Sequence, residues 1–202
     1  MSAGSTAERV HDAVRARIMN REFRPGDRLD PAVLGGSLAA SVTPVRDALH
    51  VLVGEGLVES RSTGGFHVPV LDEPTLEDFY DWSSELLLLA LRAWPSGSPS
   101  ASPEELAEPE AVAERVAVLF LTIANRSCNR EHARAVERLN TRLHAARTVE
   151  PHVIEETQSE LEELWHATIN REIVPLRRLC RAYHRRRRRA AAGILRALYR
   201  ID

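Results

Sequence analysis

Lysine is missing from this sequence altogether: each of the 27 basic residues is arginine. Every cationic contact is therefore a guanidinium, whose planar fork matches phosphate oxygens or a guanine edge. Aromatic residues are scarce, at 5%, so leucine, valine and alanine have to fill the core. Only two cysteines occur, Cys128 and Cys180, and their spacing is not that of a pair. They fit reduced thiols or small buried apolar residues. The longest apolar run, Leu86 to Leu91, is far too short to cross a bilayer. Met1 to Ser5 lacks the basic-then-apolar pattern of an export signal, so the expected location is the cytoplasm. The net charge of -2 gives no whole-chain case for binding nucleic acid. Charge is uneven, however: Arg171 to Arg200 is strongly basic and Glu104 to Glu114 acidic. What is present is a chain of 202 residues, 44% hydrophobic and 28% charged, enough for one large domain or two small ones with a real core.

Residues 6 to 20 carry Val10, Val14 and Ile18 at helical spacing. Pro25-Gly26-Asp27 makes a turn. Asp30-Pro31 then starts a helix, with Asp as N-cap and Pro in the first turn. That helix should turn Val33, Leu34 and Leu38 inward, and Gly35 and Gly36 weaken it while permitting close packing. Ser41-Val42-Thr43-Pro44 is a second start, read as a hydroxyl cap with Pro at the first helical position. The helix it opens runs through Val45, Leu49 and Leu52 to Gly54 or Gly56. Two short helices meeting across three or four residues have helix-turn-helix spacing. Leu57 to Ser60 and Phe66 to Val70 alternate as strands around Gly64-Gly65, a hairpin or wing. Leu71 to Pro74 is the natural linker. Beyond it only helix periodicity is visible, at about 75–94, 104–126, 129–147, 151–169 and 171–199, with a loop at Pro95 to Pro103. The expected fold is mainly α: a winged helix-turn-helix over residues 1–71, then an all-helical bundle over 72–202.

A helix enters the major groove if its exposed N-terminal end offers donors. Ser41 and Thr43 lie at that end, where hydroxyls and backbone N–H groups can meet a phosphate. Arg46, one turn on, can fork onto guanine, and His50 follows on the same face. The Gly64-Gly65 tip can lie over a groove without side-chain obstruction. A winged helix used only for protein contact is the plainer alternative.

Residues 10 to 70 resemble the DNA-binding domain of GntR-family regulators. The stretches that carry the likeness are Arg24-Pro25-Gly26-Asp27-Arg28-Leu29, Ser41-Val42-Thr43-Pro44-Val45-Arg46-Asp47-Ala48-Leu49, Glu55-Gly56-Leu57-Val58-Glu59 and Gly65-Phe66-His67-Val68. The chain departs from the family where Val42 replaces a usual Arg and Ala32 a usual polar residue. Both positions commonly face DNA in the family, so Arg46 becomes the main expected reader of bases, and dimerisation would have to compensate.

The resemblance implies a helical C-terminal domain for effector binding and dimerisation, of the fatty-acid-regulator branch. Glu162 and His166 look like that branch's acid-and-histidine pair. Four residues apart, they share a helix face and could share a divalent metal. The metal-binding members use Asp there, with two later His residues that do not appear before Asp202. A shortened domain with a degraded metal site is expected, and no cofactor. Arg185 to Arg189 reads as a solvated helix face, or as a second nucleic-acid contact. Ile173, Leu176, Cys180, Tyr183, Ala190, Ile194 and Leu198 form an apolar stripe that also contains Arg187. A buried guanidinium needs a partner, so Arg187 should face an internal acid or an anionic effector. His132, His144, His152 and His184 show no mutual spacing and read as surface or packing residues.

The expected protein is thus a homodimeric transcription regulator, a repressor, reading a palindromic double-stranded operator under control of a small-molecule effector. The alternative left open is a ligand-binding or protein-interaction module that has lost operator recognition. No nucleophile–base pair or phosphate loop points to an enzyme.

Overall fold

The computed structural model describes residues 3–62, 64–95 and 111–200. The chain divides into two compact units, Met1–Leu71 and Asp72–Asp202.

The first unit opens with α1 (Ala3–Met19), β1 (Arg28–Leu29), α2 (Pro31–Leu38) and α3 (Val42–Glu55), and closes with β2 (Glu59–Ser60) and β3 (Phe66–His67). Asp30 caps α2 by accepting from the Ala32 and Val33 N–H groups. Those bonds hold its carboxyl below the usual carboxylate range. Three residues, Ala39 to Ser41, separate the two helices of the turn. Gly35 lets them meet, since a Cβ there would lie 2.7 Å from the Ala40 carbonyl oxygen, whereas Gly36 faces open space. Gly56 ends α3 at φ 79°, a left-handed conformation that favours glycine. The core is aliphatic, built from Val10, Val14, Leu34, Val45, Leu49, Leu52 and Val58, with Phe66 as its one buried aromatic ring.

Three expectations need correcting here. Val33 does not face inward. It is 72% exposed, because Leu34 and the close approach at Gly35 take the buried side of a helix only eight residues long. Pro44 is the third residue of α3 rather than the first, and the Ser41 hydroxyl makes no capping bond. The wing is not a lone hairpin: β1 joins it, giving an antiparallel sheet in the order β1-β3-β2. Arg28 stands opposite His67 and Leu29 opposite Phe66.

The second unit is helical: α4 (Glu73–Arg92), α5 (Val112–Asn125), α6 (Arg130–Val149), α7 (Thr157–Ile169), α8 (Ile173–Arg189) and α9 (Ala191–Tyr199). The expected start of a helix at 104, and most of the expected loop at Pro95 to Pro103, lie outside the described residues. The helix expected over 151–169 starts later, because Glu150–His152 form a 3-10 turn first. The single helix expected over 171–199 is broken at Ala190, whose N–H is shared among the Arg186, Arg187 and Arg188 carbonyls. The break lets α8 pack on α4 and α7 while α9 packs on α6. Leu76, Leu87, Leu119, Phe120, Leu143, Leu164 and Ile194 are all buried in this core. Trp94 and Trp165 are buried with them, whereas Trp82 is half exposed. Among the described residues no helix is long and apolar enough to cross a membrane.

Candidate nucleic-acid interface

The buried side of α3 is fixed by Val45, Ala48, Leu49 and Leu52, all at most 1% exposed. Helical periodicity then forces Val42, Thr43, Arg46, Asp47, His50 and Val51 outward, and all six are exposed. Ser41 is exposed at the amino end, and its hydroxyl is not spent on capping. The backbone N–H groups of the first turn therefore face outward beside two hydroxyls, an arrangement suited to a phosphate oxygen.

Next to this end lies a cleft of about 310 Å³, lined by Arg28, Arg46, His50, Ser60, Gly65 and Phe66. It brings together three pieces distant in sequence: β1, the outer face of α3, and the wing. The His50 ring stands edge-on to Phe66 with centroids 5.0 Å apart, which orients it toward the cleft rim. Gly64 and Gly65 have φ of 90° and 94°. A Cβ on Gly64 would meet nothing within 4 Å, whereas one on Gly65 would sit 3.5 Å from the Arg28 guanidinium. The bare tip thus leaves Arg28 room to reach past the wing.

The cations of this unit fall into two groups. Arg9 donates to the Leu38 carbonyl at 3.2 Å, Arg17 to Glu22 at 2.7 Å, and Arg61 to Glu59 at 2.7 Å. Arg15 lies 3.6 Å from Glu55. Arg28 and Arg46, by contrast, form no hydrogen bond or ion pair with any described residue. Arg28 lies close enough to Asp30 to help hold that carboxyl down, and neither guanidinium is committed to a hydrogen bond. Arg28 was not singled out by its sequence, because a two-residue strand carries no periodicity. The signal that would have found it is the pairing of β1 with the wing.

The candidate residues of the second unit are dispersed. Glu162 and His166 share one face of α7, as their spacing dictates, and that face is exposed. Glu162 accepts from Gln158 at 3.1 Å, and His166 pairs with Asn170. His166 is exposed, and among the described residues no group of three metal-ligating side chains forms. Arg187 is 1% exposed and faces acids. Its Nε donates to Glu150 at 3.0 Å and its Nη1 to Glu160, and it stacks 3.4 Å from the Tyr183 ring centroid. Tyr80 donates to the other Glu150 oxygen at 2.8 Å. Burial opposes charge on Arg187, but Tyr183, Glu150 and Glu160 more than offset it and hold the guanidinium protonated. His184 is fully buried, its Nδ1 donating to the Cys180 carbonyl at 2.7 Å and its Nε2 accepting from Ser83 at 2.9 Å. Burial pushes its pKa down to about 3, so the ring is neutral.

Comparison with known proteins places this geometry. The profile described as "Bacterial regulatory proteins, gntR family" matches residues 6–68. The chain is 39% identical over 70 residues to the Nta operon transcriptional regulator of Aminobacter aminovorans, covering 35% of this chain and 33% of that protein. The matched stretch is thus about a third of the length of the curated relatives. The fold also resembles E. coli McbR/YncC, with a TM-score of 0.63 at 21% identity over 99% of this chain and 100% of that one. A transcriptional regulator GntR from Rhodococcus sp. RHA1 gives the same TM-score and identity over 97% of this chain and 100% of that one. At such identity these two speak for the fold alone. The family is described as bacterial regulatory proteins, and the Aminobacter and Rhodococcus proteins as transcriptional regulators. Residues 6–68 thus match the gntR family of bacterial regulatory proteins across the whole winged helix-turn-helix.

Proposed function

We propose that the chain is a sequence-specific transcription regulator, acting as a repressor. Arg46 reads a base edge in the major groove. The exposed end of α3, with Ser41 and Thr43, holds a phosphate, and His50 and Gly64-Gly65 border the duplex. Arg28 adds a contact from β1. The observation that carries this reading is the convergence of two unpaired guanidiniums on one cleft beside the open end of α3. Two copies of the chain would present two such clefts to the halves of a palindromic operator about one helical turn apart. The helical unit supplies the control: a small molecule bound there favours one placement of the two copies, which changes operator affinity by a coupling free energy.

Fluorescence anisotropy tests this with the promoter fragment upstream of its own gene and with shuffled DNA of equal length. The promoter should bind more tightly, and Arg46→Ala should reduce its preference by about 1–3 kcal/mol. Arg28→Ala should weaken both DNAs together and flatten the salt dependence by about one phosphate contact. Equally weak binding of both DNAs by the unaltered protein would favour a second reading, a module for ligands or protein partners. The exposure of Val33 and Val42 on the surface where a reader would carry polar groups is what keeps that reading in view.

A further inference from the structure

Among the described residues of the first unit, Val33, Val42, Val51 and Val70 are the large apolar side chains left exposed. Apolar side chains scattered singly over a surface call for no explanation. Val42 differs from the other three in where it stands. It is the first residue of α3, between the hydroxyls of Ser41 and Thr43, and is 44% exposed. Arg46 follows one turn on, so the two side chains are neighbours on one flank of the helix, with Cβ atoms about 6 Å apart. Arg46 in turn lines the cleft together with Arg28 and His50. Nothing in the local fold requires a valine here. A β-branched side chain gives a helix start no cap and slightly lowers its helix propensity. Nor does Val42 join the core that Val45, Leu49 and Leu52 build.

A helix-turn-helix presents the amino-terminal residues of its second helix to base edges in the major groove. Most of what the bases display there is hydrogen-bond donors and acceptors, which a valine cannot use. The one apolar feature is the C5 methyl of thymine. A donor or acceptor pressed against Val42 would lose its water without gaining a bond. A thymine methyl in the same place loses only apolar hydration, which favours the contact. The spacing along α3 also fixes a register. Base pairs rise by about 3.4 Å each, so side chains about 6 Å apart on the helix stand over base pairs one or two steps apart.

We propose that Val42 is a specificity-determining residue that reads a thymine through its C5 methyl, one or two base pairs from the base edge taken by Arg46. The proposal rests on the operator-binding reading above and adds a chemical class of contact to it. Arg46 discriminates by hydrogen bonds, and Val42 discriminates by shape and apolar surface. The exposed valine at the head of α3 is then part of recognition rather than a mark of its loss.

Deoxyuridine differs from thymidine in that methyl alone and pairs with adenine in the same way. Anisotropy of the full chain therefore reads the contact directly on the promoter fragment upstream of its own gene, made once with thymidine and once with deoxyuridine. The unaltered chain should bind the uracil fragment about 4-fold more weakly for each methyl it touches, and about 16-fold more weakly when one methyl is read in each half-site. Val42→Ser removes both valine methyls at an exposed position. It should bind the thymine fragment more weakly and lose most of the uracil penalty. Val51→Ser makes the same change on the opposite flank of α3 and should keep the full penalty of the unaltered chain. Comparing penalties cancels whatever uracil does to the duplex itself. Two results would each overturn the thymine contact: no uracil penalty in the unaltered chain, or the same penalty in Val42→Ser. If Val42→Ser does not fold, Val42→Asn carries the same comparison. Should the chain not prefer its own promoter to shuffled DNA, duplexes selected from a randomised pool take the promoter's place. The outcomes separate the two proposals. Specific binding with a uracil penalty that ignores residue 42 leaves the regulator standing and removes the contact. No specific binding to either the promoter or the selected pool removes the regulator reading, and the thymine contact with it.

Discussion

Arg187, buried in the helical unit, illustrates how a side chain's worth depends on what surrounds it. Arg187 is matched by Glu150 and Glu160 and covered by Tyr183. Truncating it strands Glu150, which is fully buried. Arg187→Met should therefore lose roughly 3–5 kcal/mol in urea denaturation. The position of Arg187 was legible in the sequence, since steps of three and four place it within the apolar stripe of α8. Its partners were not. Glu150 sits in a 3-10 turn that reads as a helix boundary, and its burial depends on Tyr80, seventy residues earlier. Glu162 and His166 show the complementary limit. Spacing puts two residues on one face of a helix, but only the packing of other helices decides whether that face is covered.

Single elements follow the same logic. The helix-turn-helix was readable because its punctuation is local: Asp30 before Pro31, the short turn, and Gly56 at a left-handed stop. β1 was not readable, being two residues long and defined by its partner. Adjacent glycines in α2 give a sharp comparison. Gly35→Ala drives a Cβ into the Ala40 carbonyl and should cost about 1–3 kcal/mol as the turn shifts. Gly36→Ala meets nothing and should raise stability by up to about 1 kcal/mol, through helix propensity alone. Chemical denaturation followed by circular dichroism reads both. Equal effects at the two positions would mean that α2 and the turn are not in contact there. The break at Ala190 belongs to this scale as well: a continuous periodic stripe hides a change of packing partner, from α7 to α6, while α4 is kept.

Across the whole molecule, two histidines make the units answer pH in opposite directions. Burial opposes charge on His11, but hydrogen bonds to Asp12 and Glu55 outweigh it and raise its pKa above the ordinary 6.5. Its contribution is complete below that value and fades as pH rises through the folded-state pKa. His184, held down to about 3 by burial, stays neutral while the unfolded chain takes up a proton near 6.5. The second unit therefore loses stability as pH falls below about 6.5, at up to about 1.4 kcal/mol per pH unit. Replacing the ring by His184→Gln removes this slope, so the stability gap to the parent should narrow by about 1 kcal/mol between about pH 7.5 and about pH 5.5. A gap that stays constant would mean the buried ring is protonated in the folded protein.

The placement of the aromatic side chains has a practical corollary. All three tryptophans, Trp82, Trp94 and Trp165, and all three tyrosines, Tyr80, Tyr183 and Tyr199, lie beyond Leu71, while the first unit carries only Phe23 and Phe66. The molecule is thus luminescent in one half and dark in the other. Intrinsic ultraviolet emission watches the helical unit alone, so a change on adding a small molecule reports events there, and a change on adding DNA reports a signal that has crossed between the units.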